Sequence, residues 1–164
     1  MWRRSTYVSL ALAGLMIGAA LMLERLLPAL TGEVRVADGD SLELGGERIR
    51  LEGIDAPELA QECGPPERRW PCGREARAAL AALVKGAPVT CRPLDTDRYG
   101  RAVAVCRAGE VDIAERLVEQ GFAIATSFSY AGAERGARAA KRGIWSGPFE
   151  IPADWRARAG DKGR

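Results

Sequence analysis

Three stretches place apolar side chains at every second position: Val34-Arg-Val36, Leu42-Glu-Leu44 and Ile49-Arg-Leu-Glu-Gly-Ile54. A period of two is that of a strand with one buried face. Gly39 and the Gly45-Gly46 pair separate these runs as tight turns. Strands resume over 89–92 and 102–106, joined by Asp95-Thr-Asp-Arg-Tyr-Gly100. Between the two sets the period changes to that of a helix over 74–84, with Ala76, Leu80, Leu83 and Val84 on one face. A second helix starts at Asp112, with Glu115 placed as in a capping box, and stops at Gly121. Ala114, Leu117 and Val118 form its stripe. An alanine-rich third helix runs over 131–142 and ends at Gly143. After Ser146 the periodicity fades, and residues 148–164 are expected to be a flexible tail.

Five short strands with interspersed helices predict an α+β domain, a small sheet or barrel packed by three α-helices. Periodicity does not separate a barrel from an open sheet. The chain beyond residue 30 is long enough for one core and not for two. Ahead of it lies the uncharged run Val8–Leu23, preceded by Arg3 and Arg4. A basic start followed by an apolar stretch is the pattern of an export signal or an anchor. The run is shorter than the about 20 residues of a full span, although Leu26-Leu27-Pro28-Ala29-Leu30 extends it. Gly18-Ala19-Ala20 offers small residues to a signal peptidase. Signal peptide and membrane anchor both stay open, and either exports the domain to the periplasm or beyond. The expected organisation is a signal or anchor over 1–30, a domain over 31–147 and the tail.

The chain carries 24 Lys+Arg and 22 Asp+Glu. Three of the bases and one of the acids precede Thr31, which leaves 21 of each in the remainder. Bulk charge therefore announces no polyanion binder, and attraction to phosphate has to be local. Four cysteines agree with export. Cys91 and Cys106 flank the second hairpin at positions that simple pairing sets opposite each other. Cys63 and Cys72 share a loop with three prolines, Gln61 to Gly73. Bridges Cys63–Cys72 and Cys91–Cys106 are expected, one of three possible pairings. A zinc site would call for Cys-x-x-Cys or histidine, and the chain has neither.

The candidate chemistry lies in Asp38-Gly-Asp40-Ser41, Arg50-Leu-Glu-Gly-Ile-Asp55-Ala-Pro-Glu58 and Asp97-Arg-Tyr-Gly-Arg101. Carboxylate oxygens suit a hard cation such as calcium, and guanidinium forks suit a phosphate. With no histidine in the chain, proton transfer falls to other groups. Asp40 and Asp55 end or begin strands and can project from one end of the sheet, Pro57 stopping the ladder after Asp55. Arg50 lies on the third strand and Arg101 opens the strand after the hairpin. Arg48 and Arg98 are expected to be solvated charges.

In order and spacing these motifs resemble the staphylococcal nuclease family, from about Glu33 to about Trp145. The resemblance implies a five-stranded oligonucleotide-binding-type β-barrel with three helices. It implies a calcium-dependent nuclease cleaving single-stranded or locally unpaired DNA and RNA, with no protein partner. By the same resemblance Asp40, Asp55 and the Ala56 carbonyl are metal ligands, and Glu58 positions or deprotonates the attacking water. Arg50 and Arg101 hold the scissile phosphate. Tyr99 and Tyr130 are the substrate-binding candidates. The chain departs from the family in having Ala56 where better-known members carry threonine. Ser127 and Ser129, beside Phe128 and Tyr130, stand where those members have two nucleotide-contacting tyrosines. The alternative is a non-catalytic binding or scaffolding module of the same fold at the cell envelope, and such members usually lose some of these carboxylates and arginines.

Overall fold

The computed structural model describes residues 7, 9, 12–18 and 29–161. Residues 12–18 are helical. Half of the apolar run expected to be a signal or anchor lies outside the described residues. Among the described residues no helix is long and apolar enough to cross a membrane.

The main sheet runs β1 (Val34–Val36), β2 (Ser41–Leu44), β3 (Glu47–Leu51), β6 (Ala102–Ala108), β5 (Val89–Thr96), with β7 (Val111–Asp112) pairing β6. All neighbours are antiparallel except β3 and β6, which run parallel with Arg50 opposite Val103. The sheet curls until Leu30, ahead of β1, exchanges two backbone hydrogen bonds with Cys91 on β5. The expected five-stranded barrel is thus a curled six-stranded sheet, its edges joined by one isolated bridge. The turn from β2 to β3 uses Gly45 and Gly46 at φ 61° and 91°, the positive pair that a two-residue hairpin needs.

The expected continuous strand over 49–54 is broken. Gly53, at φ 75°, turns the chain after Leu51, and β4 (Ile54–Asp55) leaves the main sheet to pair with β8 (Ile124–Ala125). Helix α1 (Cys72–Val84) packs Ala76 and Leu80 onto the sheet. Helix α2 (Ile113–Gln120) is capped by Asp112, whose carboxylate accepts from the Glu115 amide at 3.0 Å, and it stops at Gly121 as expected. Helix α3 (Ala131–Ala139) follows. Leu42, Leu44, Ile49, Leu51, Leu80, Ile113 and Leu117 form the buried centre.

Both expected disulfides are present. Cys91 and Cys106 are direct ladder partners, and Cys63–Cys72 ties the proline-rich loop to the start of α1. Residues 148–164, expected to be a flexible tail, instead carry helix α4 (Pro152–Asp161). Proline suits a first helical position, and Asp154 and Arg158 complement the two helix ends. The segment is anchored where Gln61, fully buried, donates to the Glu150 carbonyl at 2.6 Å and the Gly64 amide donates to that of Pro148 at 2.8 Å.

Candidate active site

The β2–β3 register sets Ser41 directly across from Arg50, so Asp40, one residue earlier, falls beside that guanidinium. The parallel pairing of β3 with β6 brings Arg101, just before Ala102, to the same end of the sheet. Asp55 closes β4 and enters from the side. These groups line one cleft of about 1260 Å³, together with Glu58, Asp97, Tyr99 and, from α4, Ala153, Arg156 and Ala157.

At the floor, Arg50 Nη2 lies 3.0 Å from Asp40 Oδ2 and 2.8 Å from Asp55 Oδ1, and Nη1 donates to Asp40 Oδ1 at 3.2 Å. Asp40 and Asp55 are only 4% and 5% exposed. Asp40 also accepts from the Ala56 amide at 3.2 Å and from Ser41 Oγ at 2.9 Å. Burial nevertheless pushes its carboxyl up to about 6, with Asp38 adding repulsion, while Arg50 and these hydrogen bonds pull the other way. Gly39 sits in the expected turn, which the Ala37 and Asp38 amides close by donating to the Ser41 carbonyl, and what requires a glycine there is space. Its φ is not positive, and a Cβ there would lie 2.8 Å from the side chains of Ala56 and Ala76.

Arg101 is oriented from its own loop. Asp97 accepts from Arg101 Nε at 2.7 Å and from the amides of Arg101 and Tyr99 at 2.9 Å each. Those donors, the Arg101 amide first, hold Asp97 down at about 2. Arg101 Nη1 reaches Ser41 Oγ at 3.3 Å, which connects it to Asp40. The Tyr99 ring, 60% exposed, lies under the guanidinium groups of Arg98 and Arg101, 5.0 and 5.6 Å from its centroid. Arg48 and Arg98, expected to be solvated charges, line the cleft, and Arg48 Nη2 donates to the Tyr99 carbonyl at 2.9 Å.

Glu58 forms the wall opposite. Its amide donates to Gln61 Oε1 at 3.1 Å, and its own carboxylate oxygen, Glu58 Oε1, accepts from Arg156 Nη1 at 2.8 Å. Arg156 also spans Asp55 end-on, Nη1 to Oδ1 at 3.0 Å and Nη2 to Oδ2 at 3.1 Å. These bonds, those to Asp55 first, raise the guanidinium's already high affinity for its proton.

One expectation about aromatic groups changes. Tyr130 is 6% exposed, packs in the core against Gly53 and turns its hydroxyl toward Asp112 at 3.5 Å. A ring held this way has no free face for a base, so it does not serve as a cleft residue. Phe128, two residues beyond the cleft residue Thr126, is fully exposed.

Among the described residues no set of three acidic, cysteine or histidine side chains is arranged as a ready metal cage. The floor still fits a hard divalent cation. Two buried carboxylates converge on one Arg50 nitrogen, an all-oxygen donor set of the kind such a cation takes.

The family model described as staphylococcal nuclease homologue matches residues 48–147. The succinoglycan biosynthesis protein ExoI of Rhizobium meliloti (strain 1021) is 37% identical over 121 residues, 70% of this chain and 63% of that protein. The probable staphylococcal-like nuclease CAN2 of Oryza sativa subsp. japonica is 39% identical over 115 residues, 66% of this chain and 29% of the rice protein. An uncharacterized endonuclease of Escherichia coli O157:H7 is 34% identical over 136 residues, 76% of this chain and 83% of its own length. The chain thus spans less than two thirds of the first two of these relatives and most of the third.

Proposed function

Because the chain belongs to the staphylococcal nuclease family, we propose that it is an exported, calcium-dependent nuclease hydrolysing DNA and RNA phosphodiester bonds. The observation that carries this reading is the convergence of Asp40, Asp55, Arg50, Arg101 and Glu58 on one cleft from three separate stretches of chain. Relatives named as nucleases support it, and two disulfides are consistent with export.

In this reading Asp40, Asp55 and the Ala56 carbonyl hold the cation. Bound there, a divalent cation supplies Lewis-acid polarisation of a phosphoryl oxygen. Arg50 and Arg101 grip the non-bridging oxygens, and their contacts tighten as negative charge accumulates on the five-coordinate phosphorus. Glu58 takes a proton from a water whose oxygen attacks phosphorus in line. The bond to the leaving oxygen then breaks, and the product polarity implied by the family resemblance is a 3′-phosphate. Tyr99, exposed beside two guanidinium groups, offers a face to a base or sugar. The substrate is single-stranded or locally unpaired nucleic acid.

The test is cleavage of a single-stranded DNA oligonucleotide by the oxidised protein with calcium, with chelator, and as Glu58→Gln and Arg101→Ala. Calcium-dependent cleavage that falls by about 10²–10³ in Arg101→Ala, and comparably in Glu58→Gln, is expected. An inert wild type that still binds calcium and DNA would move the assignment to a binding module of the same fold.

A further inference from the structure

Glu58 is held by the end of the chain, through two independent connections. Gln61 joins the Glu58 amide to the Glu150 carbonyl, accepting from one at 3.1 Å and donating to the other at 2.6 Å. Arg156, two turns further on, bridges the Glu58 carboxylate to Asp55. Both Glu150 and Arg156 lie beyond the segment that the family model matches, which ends at residue 147.

Helix α4 is built for that approach. Ala153, Arg156 and Ala157 line the cleft, and the small alanines let the helix come close while the arginine extends between them. Trp155 and Arg158 line the opposite side against the disulfide loop, where Arg158 pairs with Glu150 at 2.6 Å. The helix therefore has one face for the cleft and one for the loop.

We propose that Arg156 is a positioning residue of the hydrolytic site, setting the Glu58 carboxylate against Asp55. An ionised carboxylate on an exposed loop samples several rotamers, and a charge-assisted bridge to a buried neighbour selects one of them. A guanidinium suits the task because its planar end spans both Asp55 oxygens while one nitrogen still reaches Glu58. The proposal rests on the nuclease reading of Glu58 and Asp55.

The test compares full-length wild type, Arg156→Gln and Arg156→Lys. It measures kcat and KM on a single-stranded oligonucleotide, thermal melting, and calcium binding by calorimetry without nucleic acid. The expectation for Arg156→Gln is a kcat lowered about 10–100-fold, an unchanged KM, a melting temperature at or modestly below that of wild type and calcium affinity no higher than wild type. Arg156→Lys is expected to recover only part of kcat, since one ammonium cannot span Asp55 and also hold Glu58. Should the glutamine variant melt early, the lysine variant decides by the same kcat-against-KM split. Faster turnover with tighter calcium binding in Arg156→Gln would overturn the proposal and make α4 an inhibitory latch competing with the cation. Full recovery by lysine would overturn it too, reducing the role to net charge. An inactive wild type would overturn the nuclease reading itself, and this inference with it.

Discussion

The floor of the cleft and its Glu58 wall hold the same kinds of side chain, carboxylates paired with arginines, but by different means. Arg50 lies on β3 and Asp40 immediately precedes β2, so the register of the two strands places them side by side, and Asp55 is buried against them. Their order is local and is inherited from the sheet. Glu58 stands on a loop and takes its place from the Cys63–Cys72 loop, from Gln61 and from a helix that begins almost a hundred residues later. The floor is stiff because unpairing it would leave charge in a dry site. The wall is stiff only while distant pieces of the chain stay docked.

The sharpest way to break this distinction is Arg50→Met. It removes the guanidinium shared by two buried carboxylates and leaves Arg156 as the only cation on Asp55 among the described residues, so a loss of about 3–5 kcal/mol is expected in chelator, with calcium restoring part of it. Urea melts with and without calcium measure both, and a loss below about 1 kcal/mol would mean that water reaches the floor freely.

Gly73→Ala attacks the wall. A Cβ there would lie 1.7 Å from the Glu58 carbonyl oxygen, so either the loop or the start of α1 has to move. The expected penalty is about 1–3 kcal/mol together with a fall in kcat, and retention of both full stability and full turnover would show that Glu58 needs no such placement.

Proton linkage separates the floor from the Tyr99 hairpin by sign. Asp40 is raised to about 6 from an ordinary 3.8, so the folded protein binds a proton between those values that the unfolded chain does not. Asp40 therefore adds stability as pH falls through that window in chelator, and Asp40→Asn flattens the slope. Asp97, lowered to about 2, acts oppositely: its contribution is present above 3.8 and is lost as pH falls toward 2. Chemical denaturation across pH 2–7 of wild type, Asp40→Asn and Asp97→Asn checks both signs, and slopes of the same sign at the two sites would contradict the burial argument.

Tyr130→Phe is the smallest change. With its hydroxyl 3.5 Å from Asp112, the expected loss is at most about 1 kcal/mol with KM for DNA unaltered. A raised KM would return Tyr130 to the cleft.

Alternation at 34–36 and 42–44, the Gly45-Gly46 turn and the capped helix after Asp112 were legible in the sequence because each is decided by neighbours a few residues apart, and both disulfides because each closes a single loop or hairpin, 9 and 15 residues from end to end. Asp40, Arg50, Asp55 and Arg101 were legible as a set because their motifs, in order and spacing, resemble those of the nuclease family; strand register then brings Asp40, Arg50 and Arg101 to one end of the sheet, and Asp55 enters from β4. Helix α4 was not, although Pro152, Asp154 and Arg158 are ordinary start and stop signals. It has too few apolar positions to show a period, and its docking rests on Gln61, Pro152 and ion pairs. Tyr130 was misplaced for a related reason: an aromatic ring next to the cleft in sequence turns inward once Gly53 opens space beneath it.

The sequence by itself thus determined most of the main-sheet strands, the Gly45-Gly46 turn, the disulfide pairs and the residue types of the floor, because backbone sterics and short-range pairing act along the chain. Tertiary structure alone decided how the sheet closes, where Tyr130 points and which group holds Glu58. Those outcomes follow from contacts between segments far apart in sequence, and such contacts leave no periodicity for the chain to display.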